Sequence, residues 1–437
     1  MKDKNLFAQT PPMGWNSWDC YGASVTEEEL MGNAEYMAKY MKDYGWQYVV
    51  CDIQWYEPGA VSTEYRDFVP LEMDGYSRLI PAVNRFPSAA NGKGFSVIAK
   101  KIHKMGLKFG IHIMRGIPRQ AVHANTPIKG TDVTARQIAQ RFSVCSWNTD
   151  MYGVNPNVRG AQEYYDSLFE LYASWGVDFV KVDDICNTFF KPHDLYSAKG
   201  EIELIRNAID RCGRDIVLSL SPGPADIAQA EHLSKNANMW RMTGDYWDEW
   251  SDLNAMFERC HAWSPYVKPG CWPDCDMLPV GHINIRGNEH GLIEPRYTRF
   301  THDEQKTMLS LWCMFRSPLM VGGELRYNDE FTLSLLTNAE VLRILNHSYG
   351  ARQISRTGDG GQYIVWKSYD EDGSIYVAIF NTHNLPMDLQ VTFRALEIEG
   401  NYRVRNLWDH TDMGVKRESI HDVVPTHGVL LVKLTKV

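Results

Sequence analysis

The sequence predicts an α/β protein in which a (β/α)₈ TIM barrel is followed by a C-terminal antiparallel β-sandwich domain. Two observations carry this. From residue 8 to about 345, eight short apolar runs alternate with longer amphipathic stretches, which implies parallel strands joined by crossover helices. From 346 to 437 the texture changes to short segments, mostly β-branched or aromatic, several of them separated by turn residues. The 437 residues exceed one ordinary domain, and 44% hydrophobic residues suffice for a large core.

The predicted barrel strands are Met13–Trp18, Tyr48–Ile53, Lys108–Met114, Phe179–Asp183, Ile216–Leu220, Met239–Thr243, Trp272–Met277 and Pro318–Val321. The first helix is capped by Thr26, carries Glu27 to Glu29 at the positive end of its dipole and is followed by Gly45. Leu30, Ala34, Met37, Ala38 and Met41 recur at helical spacing and form its buried face. Ala161–Ser174 and Ile202–Cys212 read as later helices. Between the third and fourth strands, residues 116–152 show weak periodicity, and a long connection leaving this face of a barrel is expected to shape the substrate site. In the second domain the expected strands are Tyr363–Tyr369, Ser374–Asn381, Met387–Arg394 and Val429–Leu434, with turns at 358–361 and 370–373.

Composition narrows the function. A net charge of −9 without a basic run disfavours nucleic acid as a partner. No apolar run is long enough to span a bilayer, and the N-terminus lacks a signal-peptide pattern, so a cytoplasmic protein is expected unless a signal has been removed. The nine scattered cysteines read as buried free thiols, because no spacing completes a zinc site. Neither a metal nor a cofactor is expected, and assembly into a homo-oligomer is left open.

In such a barrel, polar residues at the C-terminal strand ends are the catalytic suspects. In FVKVDD (179–184), alternation places Lys181 and Asp183 on one side and Asp184 on the other. Lys181 would keep Asp183 ionised, as a carboxylate nucleophile requires, although a structural Lys–Asp pair fits the local pattern equally well. In WRMTGDYWDEW (240–250), Asp245 lies among aromatic residues that would raise its pKa and keep it protonated as a general acid. Asp248 or Glu249 suits a helix-capping role better. CWPDCDML (271–278) adds Asp274 and Asp276, and CDIQWY (51–56) adds Asp52 and Trp55. Two carboxylates across one barrel mouth, surrounded by tryptophans, are what cleavage of a glycoside needs.

These segments, with PPMGWNSWDCYG (11–22), SPLMVGG (317–323) and THGVLLVKL (426–434), resemble glycoside hydrolase family 27, the α-galactosidases and α-N-acetylgalactosaminidases, over nearly the whole chain. The resemblance implies an exo-acting glycosidase that releases terminal α-linked galactose by double displacement with retention, using Asp183 as nucleophile and Asp245 as acid/base. It also implies that Trp18, Asp52, Lys181, Arg241 and Asp276 line the sugar pocket, and that the partner is a carbohydrate.

Three positions depart from the family pattern. Ile53 stands where a second aspartate is common, His112 where a tyrosine is usual, and Ser221 with Pro224 in SLSPGPA (219–225) where galactosidases place a glutamate and a bulky residue. His112 is expected to bind a sugar hydroxyl, and small Ser221 would leave room for an acetamide. Loss of an acceptor at Ile53 is compatible with a β-L-arabinopyranoside, which has the galactose hydroxyl pattern without the exocyclic carbon. An aldolase using Lys181 as a Schiff base, and a sugar-binding protein without turnover, are the readings outside glycoside hydrolysis.

Overall fold

The computed structural model describes residues 3–188, 190–191, 193–286 and 294–437. Eight parallel strands form one curled sheet: β1 (Met13–Asn16), β2 (Tyr48–Cys51), β3 (Lys108–Met114), β4 (Phe179–Asp183), β5 (Val217–Leu220), β6 (Met239–Arg241), β7 (Trp272–Asp274) and β8 (Leu319–Val321). From β1 to β7 each strand pairs with the next in sequence, and β1 also pairs with β8. The last seam closes just beyond β7, where the Leu278 amide donates to the Met320 carbonyl (2.7 Å) and the Gly322 amide donates to the Leu278 carbonyl (3.0 Å). The predicted barrel is therefore present, with most strands shorter at one or both ends than their apolar runs suggested. Gly14 explains one tight seam, since a Cβ there would lie 2.4 Å from the Tyr48 carbonyl oxygen.

The first helix, Glu27–Tyr40, opens with a capping box. The Glu29 amide donates to Thr26 Oγ1, and the Thr26 amide donates back to the Glu29 carboxylate at 2.9 Å. It ends five residues before Gly45, which instead closes a short 3₁₀ turn at Lys42–Tyr44. Residues 116–152, read as irregular, belong to a small antiparallel sheet of Ile117–Pro118, Ala139–Val144 and Met151–Val154, with helices Arg119–Ala124 and Ala135–Ile138.

The chain forms two compact units, each assembled from separate stretches: Met1–Asp245, Lys268–Tyr297 and Leu319–Asn328 in one, and Tyr246–Val267, Thr298–Pro318 and Asp329–Val437 in the other. The first holds all eight barrel strands. The second holds helices Trp250–Trp263, His302–Phe315 and Ala339–His347, with a six-stranded antiparallel sheet beginning at Ser348 and a two-stranded sheet of Met387–Thr392 and Ser419–Val424. Alternate residues such as Val377, Ile379, Val432 and Leu434 of the larger sheet pack against Leu389, Val391 and Ile420 of the smaller. Burial of each such side chain is worth about 1.5–3 kcal/mol.

All nine cysteines are free, and only Cys212 is not fully buried. Among the described residues no helix is long and apolar enough to cross a membrane.

Candidate active site

Register brings the first pair together. β3 and β4 align so that His112 lies beside Lys181 and Met114 beside Asp183. From its buried position, His112 Nε2 reaches Asp183 Oδ2 at 3.1 Å. The ionised carboxylate only accepts, so Nε2 carries the proton. The Asp184 amide donates to the other oxygen, Oδ1, at 2.9 Å. Burial by itself would raise the Asp183 carboxyl; the His112 hydrogen bond and charge, then the Lys181 charge and the Asp184 amide, bring it below its ordinary value. Asp183 is thus held as the anion, more by His112 than by the lysine that the sequence suggested.

Lys181 forms its ion pair with Asp52, at 3.1 Å. Asp52 also accepts from Asn16 Nδ2 (2.7 Å) and from the Ile53 amide (2.8 Å). Burial opposes its charge, but Lys181 and His112 keep the carboxyl well below the usual range, and Asp52 in turn holds the Lys181 ammonium charged. Across the site, the Arg241 guanidinium bridges two acids, with Nη2 2.9 Å from Asp245 Oδ1 and Nη1 2.9 Å from Asp276 Oδ1. A cavity of about 20 Å³ is lined by Lys181, Arg241, Asp274 and Asp276 among others. Burial and the neighbouring Asp276 push Asp274 up to about 7.

Asp183 and Asp184 have different surroundings. Asp184 turns away with φ of +54° into a buried network. Arg115 binds its carboxylate through Nη2 (2.5 Å) and its carbonyl through Nε (2.6 Å), while Nη1 reaches Glu201 (3.1 Å) and Ser143 (2.7 Å). Burial raises the Asp184 carboxyl to about 6 despite this pairing. Arg115, for which the sequence offered no role, fastens the backbone next to Asp183 to the 139–154 segment.

Four expectations are corrected. Trp55 is fully buried among Tyr56, Phe95 and Trp175, with its indole N–H on the His112 carbonyl, so it belongs to the core and not to the sugar site. His112 is equally buried, and its Nε2 is taken up by Asp183. The Ser221 hydroxyl is buried against the Val182 carbonyl (3.4 Å) and offers no free group. The Asp245 side chain is 75% exposed instead of crowded by aromatic rings. Trp18 is half-buried, and its ring stacks on Tyr65, a residue that the sequence did not single out because its loop has no periodicity.

A barrel that gathers two carboxylate–cation clusters at its strand ends beside an aromatic wall defines a glycosidase by class. Residues 153–347 match the family model for alpha galactosidase A, and residues 360–434 match that for the alpha galactosidase C-terminal beta sandwich domain. A family 27 β-L-arabinopyranosidase from Geobacillus stearothermophilus is 59% identical over 99% of this chain and 98% of its own, with a TM-score of 0.96. A Bacillus halodurans protein proposed to be an α-N-acetylgalactosaminidase is 52% identical over 98% of this chain and 97% of its own, with a TM-score of 0.87. Alpha-galactosidase A from Cellvibrio japonicus is 26% identical over 98% of this chain and 92% of its own. The chain belongs to glycoside hydrolase family 27 and is a glycosidase.

Proposed function

We propose that the protein is a retaining exo-acting β-L-arabinopyranosidase. The observation that carries this is Ile53. The residue after Asp52 is a buried isoleucine where a second hydroxyl acceptor would stand in a galactosidase of this family. An apolar wall there suits a pyranose that ends in a ring methylene, and leaves the exocyclic hydroxyl of galactose without a partner. The 59% identity to a β-L-arabinopyranosidase, a variant of which has been solved with arabinose, supports the same choice.

Asp183 attacks the anomeric carbon as Asp245 protonates the departing glycosidic oxygen; Asp245 then takes a proton from the water that releases the sugar. The exposure of Asp245 fits a group that exchanges protons with solvent between the two half-reactions. Arg241, shared by Asp245 and Asp276, would orient the acid/base toward the sugar. Lys181 and Asp52, already charged and paired, would meet ring hydroxyls without further reorganisation.

A second reading, α-galactosidase, is favoured by the names of several relatives, including that from Cellvibrio japonicus. Chromogenic β-L-arabinopyranoside, α-galactoside and α-N-acetylgalactosaminide substrates separate the readings, with the first expected to give the highest kcat/KM. Asp183→Ala should abolish turnover, and azide should restore part of it as a glycosyl azide of inverted configuration. Near-normal activity in Asp183→Ala would overturn the mechanism.

A further inference from the structure

The connection between β2 and the helix Ser96–Lys104 carries a short tongue, residues 61–68, whose only aromatic residues are Tyr65 and Phe68. The Tyr65 ring stacks on Trp18 with centroids 6.1 Å apart and planes at 14°, and contacts Trp147 at 5.6 Å. Trp18 in turn hangs from the Asp52 cluster, because its amide donates to Asn16 Oδ1 (2.9 Å) and Asn16 Nδ2 donates to Asp52. Tyr65 therefore stands in an aromatic row that starts at the floor of the site.

The tongue is held on both sides of this residue. Arg66 pairs with buried Glu57 (2.6 Å), and Asp67 accepts from Thr149 Oγ1 (2.6 Å). At its base the Ala23 amide donates to the Ser62 carbonyl (2.7 Å). Gly22 makes this approach feasible, since it has a φ of +54° and a Cβ on it would lie 2.3 Å from that carbonyl oxygen. With so many ties the tongue is preorganised, so little ordering entropy remains to be lost on binding.

The hydroxyl has no such tie, for no hydrogen bond reaches it from the described residues. Burial pushes the phenol well above its ordinary value, and the negative charges of Asp183, Asp52 and Asp245 add to the effect. It stays a protonated donor within electrostatic reach of those carboxylates.

We propose that Tyr65 is a substrate-binding residue of the glycone pocket, its hydroxyl donating to a sugar oxygen and its ring completing the apolar wall begun by Trp18. This rests on the glycosidase reading of the site, but on neither choice of sugar. Wild type is first assayed on the three chromogenic glycosides, and the variants are compared with it on the best of them, so the functional reading is judged by the wild type and Tyr65 by the ratio of variant to wild type. Tyr65→Phe is expected to raise KM about tenfold with kcat changed less than threefold, because a bond made equally in ground and transition states acts on KM. Tyr65→Ala should raise KM further, and both variants should melt at the wild-type temperature. The proposal is overturned if Tyr65→Phe keeps KM within twofold of wild type, or if its loss tracks a fall in melting temperature.

Discussion

His112 Nε2 stands 3.1 Å from Asp183 Oδ2 across the β3–β4 seam, and this bond turns a buried carboxyl into a stable anion. Removing it in His112→Phe leaves burial less opposed, so the Asp183 pKa rises. A nucleophile that must be ionised loses activity as pH falls through its pKa, and a higher pKa brings that loss on sooner. The acid limb of kcat/KM should therefore move to higher pH, with a drop of about tenfold at neutral pH. A pH–rate profile of the variant that overlays the wild type would refute this.

Arg115 neutralises two buried acids at once. Arg115→Met should destabilise the fold by about 3–5 kcal/mol, because Asp184 and Glu201 lose their shared countercharge. Arg115→Lys should retain part of that stability, keeping the charge but not the planar fork. Urea unfolding of the three proteins measures the difference, and a Met variant within about 1 kcal/mol of wild type would discount the network.

Asp274, with its pKa raised to about 7, carries a proton in the folded protein that the unfolded chain, near 3.9, has lost at intermediate pH. Stability then falls as pH rises through that window and is level above it. Asp274→Asn, which still accepts the Asp276 amide now on Asp274 Oδ1, removes this slope. Its melting temperature should exceed that of wild type at pH 8, with the gap closing by about pH 4. Equal melting curves at both pH values would argue against a protonated Asp274.

Ile53→Asp should raise the ratio of α-galactoside to β-L-arabinopyranoside kcat/KM by about tenfold or more, since the new acceptor pairs the exocyclic hydroxyl. Side-by-side kinetics on the two chromogenic substrates test it. An unchanged ratio would remove Ile53 as the specificity determinant.

How much of this could be read from the chain depended on repetition and on burial. The barrel strands were legible because each is a dense apolar run, and Asp183 was separable from Asp184 because a strand alternates. Ser348–Thr357 and Thr411–Lys416 escaped notice because they are edge strands with largely exposed, polar residues. Trp55 and His112 were placed on the sugar because residue type at a strand end does not tell which way a ring turns. The Arg115 network and the Tyr65 tongue join residues tens of positions apart in irregular chain, where no period links them.

The division of the chain into interleaved stretches bears on how such enzymes can be recombined. Five times the backbone passes from one compact unit to the other, at 245/246, 267/268, 297/298, 318/319 and 328/329. A chimera that exchanges the C-terminal part of two relatives at a single junction near residue 345 would leave helices Trp250–Trp263, His302–Phe315 and Glu330–Leu336, with most of Ala339–His347, in the parent from which the rest of their unit has been taken away. Gene shuffling in this family should therefore succeed more often with crossovers that follow those five passages than with one splice.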